Sequence, residues 1–337
     1  MNKEFLYDLL NTPSVSGNEE LIAEKVASFT RDFADNVTVD AVSNVISSVN
    51  DNGSKKILLA AHMDEIGLIV TKIDSDGFLR VKMRGGIYGT TYPGHRVKVI
   101  TERGPVYGSV LNTRDLEKKG TTMTTDDIII DIGATSREDA EKVVNLGDMV
   151  VFDTETRELL NGRLTARALD DKAGVYVINE ALRLIKEKGT KNAVFAVSTV
   201  GEETIGTGAY FSGSNVLPDI AIIVDVTYSN DYPGGNTAAN PDVKLGAGPV
   251  LCDAPHICKK LTSSLKDVAK AAGIPYQIEF EAERTYTDGD NIMKTGAGVP
   301  FTLVSIPLRY MHTPAEICSL NDLDNAAKLI AEFVLRT

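Results

Sequence analysis

The sequence predicts an α/β fold in which helices cover a mixed, largely parallel sheet and a small all-β domain is inserted. Three observations carry this. After Gly162, helical patterns and apolar strand patterns alternate, as in a parallel sheet between helix layers. Residues 57–61, ILLAA, are apolar at consecutive positions, as in a strand buried on both faces. From about residue 67 to 161 the chain becomes short β runs separated by turn signals, which reads as an all-β unit. At 337 residues the chain exceeds what one core usually holds. Residues 1–66 and 162–337 are therefore expected to form one domain, with 67–161 inserted.

The elements follow in order. Residues 3–10 read as a short helix. SGNE, Ser16 to Glu19, has the form of a capping box, and Ile22, Val26, Phe29 and Phe33 recur behind it at helical spacing. The extended runs NVTVD, NVISSV and KKILLAAHMDEIGLIVTKI come next. In the insertion, FLRVKM, HRVKVIT, PVYGSVL, DDIIIDI and DMVVF are strand-like, and SREDAEKVVNL is one brief helical piece. Beyond it, Val175, Ile178, Leu182 and Ile185 line one helix face, and NAVFAVSTV, DIAIIVDV and PFTLVSI are strands. Ile257, Leu261, Leu265 and Val268 mark a further helix, and LNDLDNAAKLIAEFVL closes the chain as another.

The bulk numbers exclude several classes. With 35 basic and 47 acidic residues, the net charge is −12. That argues against nucleic acid and anionic membranes as partners. No apolar run approaches a membrane span, and the start MNKEFLYDLLNTPS lacks the form of a signal peptide. Three cysteines without a CxxC imply neither a disulfide framework nor a thiolate zinc site. A cytoplasmic protein is expected.

Five segments end an apolar strand, or begin a helix, with a metal-capable residue: LLAAHMDEIG, ARALDDKAG, STVGEETIG, AIIVDVTY and PLRYMHTPAE. The candidates are His62, Asp170, Glu202 with Glu203, Asp225 and His312. Ligands of open α/β sheets gather outside the carboxyl ends of strands, so one site can collect them. Two histidines with carboxylates suit zinc, or cobalt, better than the all-oxygen shells of calcium and magnesium. Five ligands exceed one catalytic zinc that keeps a water; they suit two ions about 3.5–4 Å apart sharing a carboxylate. Asp64 lies two residues after His62, on the same face of an extended strand, where it can take the second ring N–H and fix the tautomer. Taken singly, each candidate has an ordinary structural explanation, such as a core histidine or a helix-capping aspartate. Their joint order on matching elements is what gives the reading its weight.

With these residues in view, the chain resembles the TET-type dinuclear metallo-aminopeptidases, the glutamyl and deblocking aminopeptidase family, some of whose members are labelled "cellulase M". The resemblance runs through PSVSGNE, AHMDEIG, PGHRVKV, RALDDKAG, GEETIGTGA, VDVTYSNDYPG, LGAGPVL, TDGDN and IPLRYMHTPAE, nearly the full length. It implies a zinc-peptidase-like catalytic domain holding two divalent metal ions per subunit, zinc first, with cobalt or manganese as alternatives. It implies that His62 and Asp225 bind one ion, Glu203 and His312 the other, and that Asp170 bridges them. Glu202 would be the general base and Asp64 the group orienting His62. The Asp170–Asp171 peptide bond would be cis. Substrates would be short peptides with a free N-terminus, registered by their α-amine. The insertion would be a dimerisation domain, and the dimers would build a homo-oligomer, a tetrahedral dodecamer.

The chain departs from the pattern in two places. GPVLCDAPHICKK carries Cys252 and His256, and His256 reads best as a surface histidine at a helix N-terminus. TDGDNIM differs from the usual glycine- and alanine-rich version, which leaves the side-chain preference open. His95, in the insertion, reads as structural. Three other readings compete. The same ligand set would serve a carboxypeptidase or an N-deacylase. A glycosidase needs two carboxyls roughly 5–9.5 Å apart and free of metal, whereas these look committed to ions. A non-catalytic scaffold would have lost ligands.

Overall fold

The computed structural model describes residues 1–235 and 242–337. The chain opens with helices α1 (Lys3–Asn11) and α2 (Glu20–Arg31), strands β1 (Asn36–Val39) and β2 (Val45–Val49), and β3 (Lys56–His62). Strands β4 (Gly67–Ile73), β5 (Leu79–Arg84), β6 (Arg96–Thr101), β7 (Gly104–Val110), β8 (Ile129–Asp131) and β9 (Met149–Phe152) follow, with the short helices α3 (Arg114–Lys119) and α4 (Arg137–Ala140) among them. Next come β10 (Arg157–Leu159), β11 (Arg163–Ala166), α5 (Leu169–Lys188), β12 (Ala193–Thr199), α6 (Thr207–Val216) and β13 (Ile220–Tyr228). The chain continues through β14 (Val250–Asp253), α7 (Lys259–Ala272), β15 (Gln277–Phe280), α8 (Gly289–Ile292), β16 (Phe301–Leu308), β17 (Glu316–Ser319) and α9 (Leu320–Arg336).

Eight strands form one mixed sheet in the order β1-β2-β12-β3-β13-β16-β14-β15. Four strands in it, β12, β3, β13 and β16, are parallel to one another. Antiparallel pairs join β1 to β2, β2 to β12 and β14 to β16. The consecutive apolar run in β3 is explained by its two faces. Ile57, Leu59 and Ala61 enter the core that holds α5 and α9, while Leu58 and Ala60 enter the one that holds α6 and α8. On α5, Val175, Ile178, Leu182 and Ile185 are all buried, as their spacing predicts. Because the central strands are parallel, their carboxyl ends share one edge of the sheet.

Strands β4, β5, β8, β7, β6 and β9 close into a separate small antiparallel barrel around Leu68, Val70, Leu79, Val81, Val97, Val99, Ile130 and Val150. Closure removes the free strand edges that a six-stranded sheet would expose. His95 lies edge-on to Phe152 of this barrel, with ring centroids 5.6 Å apart. Strand β10 pairs with β11, and β11 with β17, in a small sheet outside the barrel.

Some local expectations are corrected. SGNE is not a capping box: α2 starts at Glu20 with no side-chain cap. Ser16 Oγ instead lies 2.8 Å from Thr204 Oγ1, and Glu19 accepts the Gly17 N–H at 2.8 Å. Residues of SREDAEKVVNL make only the four-residue α4, started by Ser136 Oγ, which accepts the Asp139 N–H at 3.2 Å. The helix marked from Ile257 begins at Lys259.

Behind the sheet edge lies a buried charged network. Glu65, Arg167 and Lys172 are each 5 % exposed or less. Glu65 Oε1 accepts from Lys172 Nζ at 2.8 Å and from the Ser14 N–H at 2.9 Å, while Oε2 pairs with Arg167. Burial acts to raise the Glu65 carboxyl, but the two cations outweigh it and hold the group down at about 2. Lys172 is pulled down to about 8, by burial first and with Arg167 adding to it against Glu65. The favourable part of the network is therefore carried by the carboxylate. A carboxyl depressed on folding stabilises the protein fully above its unfolded pKa of about 4.3 and loses that contribution as pH falls through about 2. Glu65→Gln leaves two buried cations without their anion, so urea unfolding at pH 7 is expected to show a loss of about 3–5 kcal/mol. A loss under about 1 kcal/mol would contradict this account.

Candidate active site

His62 is the last residue of β3, and the turn carrying Glu202 and Glu203 follows β12, its parallel neighbour. Asp225 lies within β13, which runs on to Tyr228 rather than stopping at the aspartate. His312 follows β16, and Asp170 lies in the first turn of α5. The fold thus brings all the candidates to the shared carboxyl edge of the central strands.

Asp170 lies between the two histidines. Its Oδ1 is 3.2 Å from His62 Nε2, and its Oδ2 is 3.1 Å from His312 Nε2. Glu202 Oε2 and Asp225 Oδ1 approach the same His62 nitrogen at 3.8 and 4.0 Å. Glu203 Oε1 lies 3.5 Å from His312 Nε2, is buried, and has no hydrogen-bond partner among the described residues. Outer contacts set the rings. His62 Nδ1 faces the Asp64 carbonyl at 3.2 Å, and His312 Nδ1 faces the Gly86 carbonyl of the barrel connection at 2.8 Å. Glu316 accepts the backbone N–H groups of His312 at 2.7 Å and Asp170 at 3.2 Å, fixing both segments from below.

Asp64 does more than its spacing suggested, and for another reason. Strand β3 has already ended at His62, so the shared-face argument does not apply. The Asp64 carboxylate is 3.5 Å from His62 Nδ1, and it also accepts the N–H groups of Glu202 at 3.1 Å and Glu203 at 3.2 Å. One buried aspartate therefore ties the end of β3 to the glutamate turn.

The site also contains carboxylates the sequence reading passed over. Asp171 is joined to Asp170 by a cis peptide bond. It accepts the Gly174 N–H on Oδ1 at 3.0 Å, while its Oδ2 is buried with no hydrogen-bond partner among the described residues. A Cβ at Gly174 would meet that carboxylate at 2.3 Å, so only glycine lets Asp171 fold over the helix. Asp288, from TDGDN, is likewise buried, with Thr199 donating to it. The doubled DD beside the doubled EE was the available signal for Asp171; nothing local marked Asp288.

The electrostatics follow from this crowding. Burial, with Asp225, Asp288 and Glu203 adding their charges against His62, pushes Glu202 up to about 10. Burial raises Asp225 and Asp171 well above the usual range. Burial works against a charged His62, yet hydrogen bonds to Asp170 and Asp64 and the charges of Glu202 and Asp225 raise it well above 6.5. In the same way Asp170 and Glu203 carry His312 up to about 12 against its burial. Buried anions in excess call for cations. His62, Asp171 and Asp225 offer ligand atoms within 4.8 Å of one another, as do His62, Asp170 and Glu203. Imidazole with carboxylate is a donor set that zinc and cobalt accept. The residues therefore suit divalent metal.

Fold and pocket together define an α/β protein with a buried histidine–carboxylate centre suited to divalent metal. The chain belongs to the M42 glutamyl aminopeptidase family, which it matches over residues 43–329. It is 34% identical to a lysyl aminopeptidase of Pyrococcus furiosus, an alignment covering 97% of this chain and 94% of the relative. Its structure superposes on the TET aminopeptidase of the marine-sediment archaeon Thaumarchaeota archaeon SCGC AB-539-E09 with a TM-score of 0.93 at 31% identity, covering 99% and 96% of the two chains. The TET1 peptidase of Pyrococcus horikoshii, which assembles into a tetrahedron or a large octahedral shell, gives a TM-score of 0.89 at 31% identity over 99% of each chain. Among the described residues no helix is long and apolar enough to cross a membrane.

Proposed function

We propose that this protein is a dinuclear metal-dependent aminopeptidase that removes N-terminal residues from short peptides. The observation that carries the reading is Asp170, which turns one carboxylate oxygen toward each histidine. His62 and Asp225 would hold one divalent ion, Glu203 and His312 the other, and Asp170 both. Zinc suits the set first, with cobalt or manganese as alternatives. When bound, such ions polarise the scissile carbonyl and lower the pKa of water. Glu202 remains outside the ligand set; bound divalent ions would offset the burial and neighbouring charges that raise it, and its carboxylate then takes the proton of the attacking water as oxygen bonds to the carbonyl carbon. It then hands that proton to the departing amine as the C–N bond breaks. Asp64 keeps this base in place by accepting the N–H groups of the glutamate turn, and it holds His62 from behind.

The barrel is assigned to dimer formation, with the dimers building a tetrahedral dodecamer; light scattering reads the copy number directly. Exposed Tyr88, Tyr107 and Leu146 on the insertion favour this. The three free cysteines suit work in the cytoplasm.

The test is a panel of chromogenic aminoacyl amides, free and N-acetylated, with zinc, cobalt or chelator. Metal-dependent cleavage of the free-amine set alone is expected. Cleavage of only the acetylated set would instead make the protein a deacylase.

A further inference from the structure

The cavity holding the histidine–carboxylate cluster extends past it, with a volume of roughly 300 Å³. Its far wall is formed by Thr227 and Tyr228 of β13, Glu281 just after β15, and Thr285, Tyr286 and Thr287 ahead of α8. The directions of the hydrogen bonds in this wall are informative. Thr227 spends its hydroxyl proton on Glu279. Thr285 donates its own to Asp290 Oδ1 at 2.8 Å. The Thr285–Thr287 contact at 2.9 Å must then use the Thr287 proton. All three hydroxyls therefore face the cavity as acceptors only. Asp290 holds this arrangement by accepting also the Thr285 and Tyr286 N–H groups, at 3.2 and 3.1 Å. His256 Nε2 approaches the same carboxylate at 2.8 Å, so His256 braces the cavity loop and is not a free surface histidine.

Outside the cluster, Glu281 is the charged side chain of the lining. No cation of the described residues forms an ion pair with it. Arg284 stacks on the Tyr286 ring, its guanidinium carbon 4.3 Å from the centroid, and stays out of the lining. The wall thus offers one unpaired anion, hydroxyl lone pairs and two aromatic rings. An ammonium has three donors and no acceptor, and aromatic faces attract cations. A carboxylate brought here would meet the like charge of Glu281 and three hydroxyls with no proton left to give, with only the phenols of Tyr228 and Tyr286 as side-chain donors in this wall.

Resting on the aminopeptidase reading, we propose that this cavity receives the substrate's N-terminal side chain and selects a long cationic one, lysine or arginine, paired with Glu281. The stem of such a side chain lies along Tyr228 and Tyr286.

The test compares kcat/KM for lysyl, arginyl, leucyl and glutamyl p-nitroanilides on the metal-loaded protein. Lysyl and arginyl substrates are expected to exceed leucyl by about two- to fivefold, the size of one charge pair in a partly solvated site, with glutamyl last. Glu281→Gln is expected to reduce the lysyl-to-leucyl ratio by about two- to fivefold, and Glu281→Lys to favour glutamyl over lysyl. Raising the salt concentration is expected to lower the wild-type ratio, as charge pairing requires. Leucyl or glutamyl preference in the wild type, or a ratio unmoved by Glu281→Gln, overturns the inference while leaving the aminopeptidase reading intact. Failure to cleave any of the four overturns both.

Discussion

Glu202→Gln is expected to reduce kcat by about 10²–10⁴-fold, the usual contribution of a positioned general base, without loss of bound metal. Glutamine preserves the shape of the side chain and removes the proton-accepting oxygen. The turn itself is held by backbone N–H groups on Asp64, so the substitution leaves that anchor in place. Elemental analysis alongside steady-state kinetics separates the two effects. Full activity in this variant would remove Glu202 as the base, and loss of metal would move it into the ligand set.

Removing the metal is expected to abolish turnover and to loosen the pocket. His62 Nε2 has three carboxylates within 4.0 Å, and Glu203 Oε1 and Asp171 Oδ2 are buried without hydrogen-bond partners among the described residues. Without cations these groups repel one another. Zinc added to chelated protein is expected to restore activity at about two ions per chain, as a dinuclear site requires. At a free concentration 100 times Kd it should add about 2.7 kcal/mol of stability, read as a raised denaturant midpoint. Activity that survives exhaustive chelation would sink the metal-dependent reading.

Much of this was legible in the sequence because the relevant signals are local. The apolar run of β3 announces a strand with two buried faces, and the spacing of Val175, Ile178, Leu182 and Ile185 announces α5. The site residues stand out because each segment ends an apolar strand run or begins a helix, and parallel strands deliver their carboxyl ends to one place. What stayed hidden depends on distant partners. α6 is rich in glycine and serine and carries little periodic contrast, so nothing marked it as a helix. Closure of the barrel rests on β4 meeting β9, residues far apart in the chain. Asp171 and Asp288 look like ordinary helix-start aspartates; only the fold turns them inward. Ser16 failed as a cap because Thr204 claims its hydroxyl.

The strand order also imposes a schedule. β3 leaves the ribosome before the barrel, but both its sheet neighbours, β12 and β13, are encoded after the barrel. Synthesis is slow compared with local pairing. The barrel strands are continuous in sequence and can pair as soon as they emerge, whereas β3 waits beside them as an apolar segment with two open edges. His312 emerges later still, after β16. Until β13, β16 and His312 have emerged, the histidine–carboxylate cluster is incomplete, so the order of the gene delays its assembly past that of the barrel.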